Sequence, residues 1–328
     1  MRKHRWLMLL LLVVTAFAVA ACGDDDDDSS SSDGASTQAE EQPSGQIQSN
    51  PDNSSTDITM GSKNFTEQKI LGEIYAQALE AAGYTVNTEL NLGDEKTALK
   101  ALEGGQISAY PEYTGTALLS FFGVAADKLP SEEQAAYDEA KKGFAEKNLT
   151  ALPPTPFVSS NEVGVTKETA DKLGLSKISD LEGKSQDLTL YGTPECRQRL
   201  DCLLGLEQVY GLKFKKFVPV DIALRHEVLT KGQADVSIVF TTDPQNKREG
   251  FVLLDDDKGM FPPYNSTLVV RDDVIQKAGP DLEKTVALVN EGLTDEVMQE
   301  LNARVDLDKE TPEAVAGQYL SESGLVAD

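Results

Sequence analysis

The chain is 328 residues long and carries 55 acidic against 30 basic side chains, a formal net charge of −25. Binding to nucleic acid, or docking on anionic lipid by charge, would gain from a basic face, so both are excluded as leading functions. Three cysteines and two histidines leave too few ligands for an ordinary zinc site, and no P-loop or GxGxxG occurs, so neither a metal nor a cofactor is expected.

The N-terminus comes first. Arg2, Lys3 and Arg5 precede an apolar run from Trp6 to Ala21, too short for an ordinary membrane span and shaped like a secretory signal, which assigns residues 1–21 to an export sequence. Its end, VAAC, resembles the bacterial lipobox, which implies cleavage before Cys22 and a lipid on that cysteine. Asp24 to Asp28, Ser29 to Ser32 and a polar tract as far as Thr56 offer almost nothing apolar to bury. Residues 22–56 are therefore expected to be a disordered tether.

From Asp57 onward strands and helices alternate. Ile58 to Met60 reads as a strand, and Thr66 to Ala82 as an amphipathic helix with Ile70, Leu71, Ile74, Ala78 and Leu79 at helical spacing, stopped by Gly83. Tyr84 to Leu90 reads as a strand, Glu95 to Gly104 as a helix, and Ile107 to Tyr110 as a strand, a βαβαβ opening. GSKNFTEQ (Gly61 to Gln68) falls at the first strand-to-helix junction, where free backbone N–H groups can receive an anion and Lys63 adds a charge.

YPEYTGT, Tyr110 to Thr116, places two tyrosines, a carboxylate and two hydroxyls on a segment kinked by Pro111 and Gly115. Tyrosines on a turn present ring faces to a pocket, and such faces attract cations, quaternary ammonium groups above all.

The middle of the chain repeats the pattern. Phe157 to Val165 reads as a strand, Lys167 to Leu173 as a helix, Leu188 to Tyr191 as a strand, Gly205 to Tyr210 as a helix, Lys215 to Val218 as a strand, Ile222 to Lys231 as a helix and Val236 to Phe240 as a strand. Cys196 and Cys202, six apart in an exported chain, are expected to form a local disulfide. His226, in a helical stretch, reads as a packing or surface residue, so a Ser/His/Asp triad has no evident base. The tail from Asp281 is helical in pattern, with Val286, Val289, Leu293 and Leu301 in one apolar stripe.

GSKNFTEQ, YPEYTGT, the ISDL turn at Ile178, TTDPQ at Thr241 and DDDKGMFPPYN at Asp255 occur in an order and separation that resemble the solute-binding proteins of ABC importers for glycine betaine, choline, carnitine and related quaternary ammonium compounds. The likeness spans Ile58 to Asp328. It implies an α/β type II periplasmic-binding-protein fold, with two α/β lobes joined by two crossovers around a ligand cleft: 57–156 plus 262–328 as lobe one and 157–261 as lobe two. It also implies that Lys63, Thr116 and Arg199 hold a ligand carboxylate, and that Tyr113, Phe240 and Tyr264 form an aromatic box. At Phe240 the family commonly has tyrosine. Asn161 stands where some members carry tyrosine, and Ser159 where a family acid is found.

The resemblance therefore implies a non-enzymatic receptor, lipid-anchored on the extracytoplasmic face of the cell membrane, that delivers a small quaternary ammonium or zwitterionic solute to an ABC permease and its ATPase. Two alternatives stand beside it. One is a sensory or ergothioneine-like receptor on the same fold. The other is a surface hydrolase built on Glu112 and Asp243, which has no visible nucleophile or histidine partner.

Overall fold

The computed structural model describes residues 45–125 and 128–327. The export sequence, Cys22 and the tether up to residue 44 lie outside the described residues. The strands in chain order are β1 Asp57–Gly61, β2 Thr85–Glu89, β3 Ala109–Tyr113, β4 Leu149–Ala151, β5 Asn161–Val165, β6 Thr189–Gly192, β7 Lys216–Pro219, β8 Val236–Phe240, β9 Val252–Leu254 and β10 Ser266–Arg271.

They form two five-stranded sheets with one shared plan, ordered β2-β1-β3-β10-β4 and β7-β6-β8-β5-β9. In each, three parallel strands are followed by an antiparallel strand that has just arrived from the other lobe, β10 in the first and β5 in the second. The chain crosses between sheets twice, from β4 to β5 and from β9 to β10. This is the two-lobed type II binding-protein fold. The carboxyl ends of β1, β3, β6 and β8 all open on the cleft, the usual ligand edge of an α/β sheet.

Helix Thr66–Ala81 buries the expected stripe of Ile70, Leu71, Ile74, Ala78 and Leu79. The tail folds into helices Pro280–Glu291, Asp295–Asp306 and Pro312–Glu322. Val286, Val289, Leu293, Met298 and Leu301 join Ile58, Ile70 and Ile74 in one buried cluster, which fastens the tail to lobe one. Each such side chain contributes about 1.5–3 kcal/mol through burial, enough to decide where the tail docks.

Four expectations change. First, the tether does not extend to Thr56: Ile47 is buried in the lobe-one cluster, and its N–H donates to the Leu325 carbonyl at 2.9 Å. Asn50 N–H donates to the Ala82 carbonyl and the Asn53 amide to the same oxygen, while Pro51–Ser55 forms a 3-10 turn. Gly83 permits this close approach, with φ +97 and no room for a Cβ beside the Asn50 carbonyl.

Second, Tyr110–Tyr113 are not on a turn but in a fully buried strand. Pro111 is tolerated there because β1 pairs with β3 only at Ala109, so its missing N–H faces no second partner strand. Third, the first strand of lobe two begins at Asn161, preceded by an isolated bridge from Val158 to Asn265. Fourth, the helix expected over Ile222 to Lys231 breaks into turns at Ile222–Leu224 and Glu227–Thr230, because Arg225 and His226 are drawn to Asp243 instead.

Candidate functional site

Between the lobes lies a cavity of about 90 Å³. One water needs only ~10–15 Å³ by the same measure, so a solute of several heavy atoms fits. Lys63, Tyr113 and Thr116 line it from lobe one, Asn161, Arg199 and Phe240 from lobe two, and Tyr264 from the second crossover. Every residue that the resemblance nominated is thus brought to one place. Sequence reasoning did not nominate Phe65, Glu95 or Arg225, which also line it. Phe65 was inside a quoted motif, whereas Arg225 was hidden in a stretch read as an ordinary helix.

Lys63 follows β1 and is buried, its ammonium paired with Glu112. Glu112 is in turn fixed by the Tyr110 hydroxyl at 2.9 Å and the Tyr113 N–H at 2.7 Å. The same ammonium lies 4.5 Å from the Tyr113 ring centroid. The nearby helix N-terminus already holds a carboxylate, Glu67, in its first turn, which lessens its appeal to an external anion. Thr116 is buried at the cavity wall, and its hydroxyl makes no hydrogen bond to the described residues.

The loop after β6 carries Arg199 between the two halves of the Cys196–Cys202 disulfide. Its guanidinium forks onto Asp201, Nε to Oδ1 at 2.8 Å and Nη2 to Oδ2 at 2.5 Å, and reaches across the cleft to Glu95 at 3.2 Å. Asp201 also accepts from the Tyr264 hydroxyl and from the Asn161 amide at 3.0 Å. Burial alone would raise the Asp201 carboxyl; the charge and hydrogen bonds of Arg199, with the Tyr264 hydroxyl, outweigh it and hold it below the usual range. Burial also pushes the Tyr264 phenol well up, with Asp201 adding to the effect, so both groups keep a fixed protonation state at neutral pH.

Phe240 ends β8. The Arg225 guanidinium stands 4.6 Å from its ring centroid and forks onto Asp243, at 2.9 and 2.5 Å. Asp243 accepts from His226 at 2.8 Å as well, and Arg225 and His226 together hold its carboxyl below the ordinary value despite burial. Asp243 thereby anchors both Arg225 and His226 within lobe two. Phe65 bridges the lobes, 6.3 Å from Tyr113 and 5.4 Å from Phe240 between centroids. Gly115 is required because a Cβ there would meet the Tyr264 ring at 2.7 Å.

The arrangement can enclose, orient and release a small polar solute. Its cations are all answered by carboxylates, and two of them lie over the rings where a ligand cation was expected.

Residues 56–322 match the substrate-binding domain of ABC-type glycine betaine transport systems. The chain belongs to this family. It is a solute-binding receptor of an ABC importer of the betaine and carnitine type, not an enzyme. It is 34% identical over 282 residues to a glycine-betaine-binding protein of Pseudomonas aeruginosa, covering 83% of this chain and 89% of that protein. It is 30% identical to an ergothioneine transport permease/ergothioneine binding protein of Helicobacter pylori, over 82% of this chain but only 48% of that longer protein. A crystal structure of a glycine betaine/carnitine/choline ABC transporter superposes with a TM-score of 0.66 at 26% identity, over 82% of this chain and 99% of its own. The family is extracytoplasmic, and among the described residues no helix is long and apolar enough to cross a membrane.

Proposed function

We propose that this receptor captures glycine betaine or a related quaternary ammonium or zwitterionic solute in the inter-lobe cavity and delivers it to an ABC permease. The observation that carries the reading is the meeting of Lys63, Tyr113, Thr116, Asn161, Arg199, Phe240 and Tyr264 around one cavity, drawn from both lobes and a crossover. Rings there supply cation-attracting faces, and Arg199, Lys63 and the free Thr116 hydroxyl supply donors for a carboxylate. The lobes divide at 57–156 plus 262–328 and 157–261, and closure occurs about the two crossovers. A lipid on Cys22 holds the receptor at the outer membrane face, where the permease can reach it.

The Asn161 side-chain Oδ1, which makes no hydrogen bond to the described residues while its Nδ2 donates to Asp201, favours a second solute class, a larger betaine bearing an N–H donor such as ergothioneine. Calorimetry on protein beginning after Cys22, with betaine, choline, carnitine and ergothioneine, tests both. Binding of one or more below millimolar concentration is expected. If no trimethylammonium compound binds, the ligand assignment fails while the family assignment stands.

A further inference from the structure

We infer that Glu67 and Asn302 form a buried polar seam that couples the Tyr113 wall of the cavity to closure of the lobes. The inference rests on Tyr113 being a wall of the solute site.

Glu67 lies in the first turn of helix Thr66–Ala81 and is 3% exposed. Among the described residues it forms no direct ion pair. Its two oxygens instead accept from the Tyr113 hydroxyl at 2.6 Å and the Asn302 amide at 2.9 Å. A buried carboxylate satisfied only by neutral donors is costly to keep and strongly destabilised by loss of either one. The Asn302 amide nitrogen has a second hydrogen, and it goes to the Thr242 carbonyl of lobe two at 3.2 Å. One amide therefore ties the ligand wall, through Glu67, to the opposite lobe.

The same helix, Asp295–Asp306, makes further contacts of this kind. Asp306 accepts from Thr66 of lobe one at 2.6 Å and from Gln245 of lobe two at 3.0 Å, and Gln299 donates to the Thr241 carbonyl at 3.4 Å. Arg225, anchored on Asp243 in lobe two, faces the negative charges of Asp306 and Glu67 from lobe one, and these add to its preference for the charged form. Neither Glu67 nor Asn302 lines the cavity. They are positioning residues: a solute that packs on Tyr113 fixes its hydroxyl on Glu67, which in turn holds the Asn302 amide where it reaches Thr242.

The test combines Asn302→Ala, Tyr113→Phe and the double variant, with Gln245→Ala as a second probe of the seam at its less buried end. Solute association and dissociation rates are followed by stopped-flow fluorescence, and the inter-lobe distance by paired spin labels on exposed sites of each lobe. Asn302→Ala should speed dissociation of betaine, choline and carnitine by the same factor, about fivefold or more, with association within about twofold. In the double variant the effects should be clearly less than multiplicative, since both changes act through Glu67. Without solute, Asn302→Ala and Gln245→Ala should each move the distance distribution toward the open form.

Multiplicative effects would overturn the coupling, and selective loss of one solute would make Asn302 a ligand contact instead. If no tested solute binds the parent protein, it is the solute reading that fails. The unliganded distance distribution then decides the seam alone, and an unchanged distribution in both variants refutes it.

Discussion

Replacing Glu95 by Gln removes one negative charge from the cleft while leaving an oxygen that can still accept from Arg199, and Arg199 keeps its fork on Asp201. Glu95 is 5% exposed and sits 3.2 Å from the guanidinium, so a solute carboxylate that engages Arg199 must come close to it. At a separation of roughly 6 Å and an effective dielectric of about 20, two like charges repel by about 3 kcal/mol, and partial screening leaves roughly 1–3 kcal/mol. Betaine loses that repulsion in the variant. Betaine and choline each also lose an attraction between Glu95 and their ammonium, so the carboxylate repulsion is what separates the two solutes. The ratio of betaine to choline affinity should therefore rise by about tenfold or more, at 1.4 kcal/mol per decade. Calorimetry with both solutes on both proteins, at low and at physiological salt, measures it. A ratio unchanged within about twofold, or moved toward choline, would refute the view that the cations of this cleft are held in check by its carboxylates.

Burial, with Asp256 and Asp255 nearby, raises Glu162 from 4.5 to about 7. Between those values the folded chain holds a proton that the unfolded chain releases, so stability falls as pH rises through the interval and stays lower above it. Glu162→Gln should match the parent near pH 4.5 and exceed it at pH 8 by up to about 3 kcal/mol, read by urea unfolding across pH; parallel profiles would count against the shift. Reduction of the Cys196–Cys202 bond should cost about 2 kcal/mol, as expected for so short a loop, and weaken carboxylate-bearing solutes more than choline because Arg199 sits inside that loop. Two free thiols in the unfolded, unreduced protein beginning after Cys22 would show that the bond does not form. Cys22→Ser should release the protein from the membrane fraction or block its processing, as checked by fractionation, and unchanged retention would remove the lipid anchor from the account.

Much of the molecule was legible in the chain itself. Helical spacing of Ile70, Leu71, Ile74, Ala78 and Leu79 placed the first helix, and alternating elements fixed the α/β class, because local burial patterns report directly on periodicity. The motifs that hold Lys63, Tyr113, Thr116 and Tyr264 were short and contiguous, Asn161, Arg199 and Phe240 came from family positions outside those motifs, and all seven residues reach the cavity. What the chain could not tell was which charges meet. Glu112 on Lys63, Glu95 on Arg199 and Asp243 on Arg225 are pairings made by tertiary structure, and such contacts leave no trace in spacing, whereas the Arg199 fork on Asp201 is local, two residues apart. The same limit explains Ile47, whose isolated apolar side chain in a polar tract gains a core only when the Leu325 end of the tail folds beside it. Sequence by itself determined most of the elements and the family motifs. Tertiary structure alone decided which side chains neutralise one another, since in a low-dielectric cleft those energies depend on distances of a few ångströms between segments far apart in the chain.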